Sequence, residues 1–429
     1  MEPKNFLFIS IDALLVDIAW QIKKEGHNVK FYIESKEEKE VGDGFIEKVD
    51  DWQAEVDWAD IIIFDDVLGQ GTKADKLRKQ GKLVIGGTPY TDRLEDDRAF
   101  GQEELKKYGV NIIPYAEFVS FDEAIQYVQT NPAKYVLKPS GQLQNPKGML
   151  FIGEEDDGRD VIQVLNDYKK GWREKKAWFQ LQKRMSGVEV AVGAFFNGKE
   201  FIYPINVNFE HKKLFPGDLG PSTGEMGTTM FWSPPNKLFN TTLKKFESKL
   251  GEEGYIGYID INCIVNNNGI YPLEWTSRFG YPTISIQQEG MLNPIAEFFY
   301  ELAQGNAPKL RVKSGFQIGI RIVVPPFPFR DKQTFEMKSL DSVIYFKKPV
   351  EGVHIEDVKL VNDEWLITGT AGVVLIVCAT GSTMKQAINQ VYNKIKYINV
   401  PHMYYRDDIG ERWFEDSDKL HAWGFLREG

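Results

Sequence analysis

Three stretches of the chain carry residue types suited to chemistry. In "YVLKPSGQLQNPKGMLFI" (135–152), Lys138 closes an apolar run, and Lys147 follows a polar, glycine-containing loop. A lysine at a strand end places a compact charge on a phosphate, and glycine-bearing backbone can fold over phosphates with its N–H groups. The competing reading is a surface turn. In "YPLEWTSRFG" (271–280), Glu274 ends an apolar strand whose hairpin partner contains "YIDIN". Period-two alternation puts Asp260 and Asn262 on one face. Oxygen ligands on adjacent strands suit Mg²⁺, which completes its shell with phosphate oxygens and water. Arg278, four residues on, is suited to a carboxylate or phosphate. The alternative is a set of surface hairpin charges. The third stretch, "DLGPSTGEMG" (218–227), holds three glycines between strand-like segments. Glycine allows backbone to approach a ligand closely. Asp218, Ser222 and Glu225 would orient an amine or an amino acid. The bland alternative is a long ordered turn, with His211 and Lys212 as solvated strand-edge residues.

The elements that must position these groups begin with an alternating pattern. "NFLFIS", "NVKFYI", "ADIIIFDD" and "KLVIGG" read as buried strands, with "DALLVDIAWQIKKEG" and "KADKLRKQG" as helices between them. This is the βαβ signature of a doubly wound parallel sheet. Ligands bind at the carboxyl ends of such strands, where Ser10, Asp12, Asp65 and Asp66 fall. Helices follow over "DRAFGQEELKKYG" and near 159–170, and strands over "KYVLKPSG" and "AWFQLQKRM". "GVEVAVGAFFNGKEFIYPINVNF" reads as a hairpin turning at "NGK". Asn240 is the expected N-cap of "NTTLKKFESKLG". From about 311 onward strands dominate, closed by one helix, "TMKQAINQVYNKIKYI", and "PPFP" at 325–328 reads as a loop.

Size and charge narrow the function classes. The 429 residues are 42% hydrophobic, enough for several packed domains, and carry a net charge of −10 with no strongly basic segment. That argues against nucleic acid as a partner. The two cysteines, Cys263 and Cys378, lie in apolar runs and read as buried thiols. No signal peptide or membrane span is evident, so a cytoplasmic protein acting on small molecules, monomer or homodimer, is expected.

Taken in order, these segments resemble the phosphoribosylamine–glycine ligase (GAR synthetase) family, ATP-grasp enzymes of purine biosynthesis. "EHKKLFPGDLGPSTGEMG" resembles its substrate loop and "LEWTSRFGYPT" its Leu-Glu-x-x-x-Arg-Phe-Gly-x-Pro motif. "SGVEVAV" resembles the segment after its hinge and "YYRDDIG" its C-terminal tail. The resemblance implies an α/β and α+β architecture: an N-terminal doubly wound (pre-ATP-grasp) domain (1–115), ATP-grasp lobes (116–185 and 186–310) and a C-terminal β-rich domain (311–429). It implies ATP and Mg²⁺. By position it assigns phosphate contacts to Lys138 and Lys147, catalytic roles to Lys138 and Arg278, and the adenine hinge to Gln182, Lys183 and Arg184. It places Glu189 at the ribose or hinge and Glu274 on the metal. Thr276, Asp260 and Asn262 complete that metal set. Asp218, Pro221, Ser222, Thr223, Gly224 and Glu225, with Asp12 and Asp66, would face substrate.

The departures are informative. Thr276 stands where the family has Asn, and Glu225 where it has Gly. The glycine-rich N-terminal loop suited to a sugar phosphate is replaced by "ISIDALLVDIAW", and acids repel phosphate. Two alternatives therefore stay beside the family reaction: a ligase repurposed for another acid and amine, and a non-catalytic nucleotide-binding protein.

Overall fold

The computed structural model describes residues 1–139, 150–171 and 178–426. The chain divides into two compact units, Met1–Asp92 with Val190–Ile261 and Thr276–Gly429, and Arg93–Glu189 with Asn262–Trp275.

In the first unit, β1 (Asn5–Ser10), β2 (Asn28–Ile33), β3 (Glu47–Lys48), β4 (Ile61–Phe64) and β5 (Val84–Ile85) form a parallel sheet in the order β3-β2-β1-β4-β5. Its central strands are apolar throughout because helices cover both faces. The helix Val16–Lys24 buries Val16, Ile18, Ala19 and Ile22, and gives way to Gly26 in the left-handed region (φ 93°). The chain order switches between β1 and β4, which brings Ser10 and Asp12 beside Asp65 and Asp66 as the sequence predicts.

The second unit is built on β6 (Tyr115–Phe118), β7 (Tyr135–Pro139), β8 (Phe151–Ile152) and β9 (Phe179–Lys183), antiparallel in the order β6-β9-β7-β8. The helices Phe121–Thr130 and Arg159–Gly171 bury Ala124, Val128, Val161 and Leu165 against Tyr135, Leu137, Phe179 and Leu181. Alternation then turns Lys138, Gln180 and Gln182 to the opposite face.

Back in the first unit, β10 (Val188–Asn197), β11 (Phe201–Phe215), β12 (Leu219–Ser233), β13 (Ile256–Asn266) and β15 (Phe316–Val323) form the larger sheet. Its order is β13-β10-β11-β12-β15, then Val373–Gly381 and Val353–Ile355. β14 (Gly269–Thr276) carries Glu274. The turn at Asn197 is as expected: its Oδ1 accepts from the N–H of Lys199 and Glu200, at 3.0 and 2.9 Å.

Two local expectations are corrected. The glycine-laden stretch is strand, not loop: most of it lies in β12, paired with β11 through Lys213↔Ser222 and His211↔Gly227. Neighbouring strands supply the hydrogen bonds, and glycine serves close approach. A Cβ on Gly227 would lie 2.6 Å from the Gly319 carbonyl oxygen. The N-cap is Asn236, not Asn240. Asn236 is extended (φ −110°, ψ 177°), and its Oδ1 accepts from Phe239 N–H at 3.0 Å, whereas Asn240 lies inside the helix Lys237–Thr241. Cys263 and Cys378 are buried outside any disulfide, and among the described residues no helix is long and apolar enough to cross a membrane.

A buried ion pair ties the helix Val16–Lys24 to the C-terminal strands. His354 Nδ1 donates to Asp17 Oδ2 at 2.8 Å, and Asp17 Oδ1 accepts from Ile355 N–H at 3.1 Å. Burial pulls the imidazole down, but Asp17 and the neighbouring Cys378 raise it further, to about 10. An imidazole raised from about 6.5 stabilises the fold fully below that pH. Its contribution drains away as pH rises toward about 10. Asp17→Asn is expected to cost about 3–5 kcal/mol near neutrality, read from urea unfolding, and to flatten this alkaline loss.

Candidate functional site

In the second unit, the face opposite the helix pair is polar. Lys138 is buried at the end of β7, level with Gln180. Gln180 Nε2 donates to Gln102 Oε1 and Glu117 Oε1, at 3.2 and 3.0 Å, so the helix Arg98–Lys107 borders this face. Gln182 is buried, and its Nε2 has no hydrogen-bond partner. An ammonium and an unspent amide donor on one sheet face fit a nucleotide's phosphate and base acceptors. Lys183 is exposed, while Arg184 Nη1 donates to the Gly153 carbonyl at 3.0 Å and pairs with Glu154. Lys147 lies outside the described residues.

Glu274 is exposed on β14. Burial lowers the Arg98 guanidinium, and the Glu274 carboxylate acts against that shift. Asn262, read from sequence as a metal ligand, donates from Nδ2 to Glu189 Oε1 at 2.9 Å. Asp260 and Thr276 belong to the first unit, Asn262 and Glu274 to the second. Among the described residues no group of three or more His, Cys, Asp or Glu is placed to hold a metal ion.

In the first unit, the strand ends form an acidic cluster. Asp65 is 1% exposed. Burial first and the Asp66 charge second raise it to about 8, against the pull of Ser10, Arg278 and the Ile11 amide. Asp66 pairs with Arg278 Nε at 3.1 Å, and Tyr281 Oη donates to the Asp65 carbonyl at 2.6 Å. Asp12 is raised by burial and by Asp66 and Glu37, with Arg330 opposing. Arg278, read as a substrate clamp, thus already contacts Asp66 and the Phe279 carbonyl.

The β11–β12 hairpin is held by the C-terminal segment. Arg406, 1% exposed, donates from Nη1 to Asp218 Oδ1 at 2.9 Å and to the Lys213 carbonyl at 3.0 Å. It also grips Asp408 through Nε and Nη2, at 2.7 and 2.6 Å. Asp408 in turn accepts from Gly217 N–H at 2.9 Å, and Arg412 Nη2 donates to the Glu210 carbonyl at 3.1 Å. Asp218 is therefore part of the clamp. Thr223 is buried and donates to the Lys212 carbonyl at 2.9 Å, Pro221 and Ser222 are half-buried, and Gly224 is exposed. Burial, then Arg412 and Arg406, push His211 down to about 3. Sequence reading missed Arg406, Asp408 and Arg412 as partners of the hairpin. Their signal was the charged run "RDDIGER" (406–412), of which the tail motif "YYRDDIG" covers only the first part and stops short of Arg412.

The family model of the phosphoribosylglycinamide synthetase ATP-grasp (A) domain matches residues 96–284, and that of its C domain residues 333–412. Together they span well over half of the chain. The chain belongs to the phosphoribosylglycinamide synthetase family. Among curated relatives, the phosphoribosylamine–glycine ligase of Streptococcus pyogenes serotype M1 is 26% identical over 373 residues, 83% of this chain and 84% of that one. That of Streptococcus pneumoniae R6 is 25% identical over 360 residues, 81% of this chain and 82% of that one. Solved structures establish the fold. The Thermotoga maritima phosphoribosylamine–glycine ligase superposes with a TM-score of 0.72 at 19% identity, covering 94% of this chain and all of that one. A Campylobacter jejuni biotin carboxylase complex has a TM-score of 0.64 at 13% identity, covering 99% of this chain and 98% of that one. The architecture is therefore ATP-grasp, as the motifs implied.

The family's hairpin is here locked by charge. Arg406→Gln leaves Asp218 and Asp408 without their shared cation and is expected to cost about 3 kcal/mol, measured as a lowered denaturant midpoint. The His211 imidazole resonances should show a neutral ring until pH falls to about 3, and the variant should move that titration upward.

Proposed function

We propose that the chain joins glycine to phosphoribosylamine at the expense of ATP, giving glycinamide ribonucleotide, ADP and phosphate. As a member of this family it is an ATP-dependent C–N ligase of the ATP-grasp class. The observation that carries the reading is that both domain models match, over segments containing Lys138, Glu274, the β11–β12 hairpin and the Arg406 clamp.

The chemistry divides into two displacements. A carboxylate oxygen attacks the γ-phosphorus of ATP, and ADP leaves. The amine then attacks the acyl carbon of the acyl phosphate, phosphate leaves, and the nitrogen gives up a proton. Both steps gather negative charge on phosphate oxygens, so positioned cations lower the barrier. In our reading Lys138, with Lys147, supplies that charge, and Arg278 steadies the reacting carboxylate or phosphate. Magnesium held by Glu274, with Thr276, Asp260 and Asn262 as further oxygen donors, would neutralise the phosphates. Gln182, Lys183 and Arg184 hold adenine, and Glu189 orients the ribose. Hairpin residues 218 and 221–225, with Asp12 and Asp66, contact the acid and the amine. The segments 1–115, 116–185, 186–310 and 311–429 supply the amine site, the two ATP-binding lobes and the closing β-rich domain.

One observation favours a second reading. Asp12 and Asp66 lie at the strand ends of the first unit, where a phosphorylated amine meets like charge. The same ligase chemistry on an amine without phosphate satisfies that constraint.

Incubation with Mg-ATP, glycine and freshly formed phosphoribosylamine separates these readings. Release of ADP and phosphate that depends on both substrates is the expected result. Turnover only with a non-phosphorylated amine selects the second reading, and no turnover with any acid–amine pair rejects both. Glu274→Gln should lower turnover by about a hundredfold or more while leaving thermal unfolding unchanged. Turnover at the wild-type rate would remove Glu274 from the metal site.

A further inference from the structure

Glu225 lies on β12 with its side chain 5% exposed, and its Oε1 has no hydrogen-bond partner. On the adjoining strand Glu210 stands directly across from Thr228, whose buried Oγ1 is likewise unpartnered. The charged groups facing Glu225 are Glu210 and Lys212 on β11, Arg321 on β15 and Asp260 on β13. Burial first, then Glu210, raise the Glu225 carboxyl well above its ordinary range, with Arg321 and Lys212 pulling the other way.

Both cations have other commitments. Arg321 donates from Nε and Nη2 to Glu356, at 3.0 and 2.6 Å, and from Nη1 to the backbone carbonyl of Glu225 at 3.0 Å. Lys212 forms an ion pair with Glu210 at 3.3 Å. The Glu225 side chain is thus a buried acceptor whose ionised form lacks a dedicated counter-ion. Leaving such a group unmatched is costly, so a bound cation would complete it.

We infer that the Glu225 carboxylate, backed by Glu210 and the Thr228 hydroxyl, binds the ammonium group of an amino-acid substrate. The inference rests on the carboxylate–amine ligase reading above and assigns these groups to the acid rather than to the nucleophile. An attacking amine must be a free base, and a carboxylate site stabilises the protonated form. The amino group of an amino acid activated at its carboxyl end has no such requirement, and its ammonium gives the site a handle that a plain carboxylic acid lacks. Binding then sets the ligand's positive charge against the buried Glu225 carboxylate, whose ionised form otherwise lacks a dedicated counter-ion.

The test compares glycine with glycolate, which carries hydroxyl in place of ammonium. Both are titrated calorimetrically into the full chain with Mg²⁺ and a non-hydrolysable ATP analogue. Wild-type protein is expected to prefer glycine by about tenfold or more. Glu225→Gln should shrink the preference to within about threefold, with affinity for the nucleotide analogue unchanged. Equal binding of glycine and glycolate by wild-type protein would overturn the assignment, and that comparison needs no variant to fold. Retention of the full preference by Glu225→Gln would overturn it as well. A glycine-selective site with no ADP release in the ligase assay would leave the ammonium pocket standing and reject the phosphoribosylamine reaction.

Discussion

Arg406 is buried with its charge intact, and the geometry of the β11–β12 hairpin depends on how that charge is matched. A guanidinium taken from water is tolerated only when its donors are filled by acceptors of opposite charge. Here Asp408 takes one edge and Asp218 with the Lys213 carbonyl takes the other. Because Asp408 also receives Gly217 N–H, the clamp closes on the hairpin tip through backbone as well as side chain. The tip runs through positive-φ positions at Gly217 and Asp218, a conformation that local sequence alone holds weakly. A cation contributed from 188 residues downstream supplies what the tip cannot.

Elsewhere the first unit buries acids without giving each a cation, and the consequence is a raised carboxyl instead of a matched ion pair. Asp65, Glu225 and Asp357 are all raised, each by burial first and by a neighbouring carboxylate next. Asp218 and Asp408, equally drawn up by burial, are brought below their ordinary range by Arg406. The contrast separates two jobs. Matched charges fix backbone, whereas a buried carboxyl without its own cation would gain most from a ligand's positive charge. Asp65 lies at a strand end and Glu225 on the hairpin that the motifs marked for substrate, whereas Asp218 and Asp408 lie at the hairpin's anchoring end.

The parts of the fold set by local pattern were legible in the sequence. Short apolar runs alternating with amphipathic segments specify β1, β2 and β4 and their helices, and the switch between β1 and β4 follows from that topology. "NGK" specified the β10–β11 turn because Asn197 caps it from within. What depended on distant partners was hidden. The stretch 218–227 reads as loop by its glycine content, yet β11 on one side and β15 on the other complete its hydrogen bonds. Asn240 and Asn236 are equivalent as residue types, and only the extended backbone at Asn236 decides which one caps. The four motifs located the family, while the pairing of Asn262 with Glu189 and of Asp66 with Arg278 required coordinates.

The two kinds of departure from the family pattern have different physical weight. Thr276 replaces an amide oxygen with a hydroxyl, which at a Mg²⁺ site would change the strength of one donor among several, the rest being phosphate oxygens and water. Glu225 replaces no side chain at all with a carboxylate in a buried sheet, which imposes desolvation, and a fold tolerates that only if a proton or a bound cation offsets it. Asp12 and Asp66 add like charge at the strand ends, where Arg278 and Arg330 give partial relief. Desolvation and like-charge repulsion are large beside the difference between two neutral oxygen donors. The acids therefore bear more heavily than Thr276 on which acid and which amine this ligase accepts.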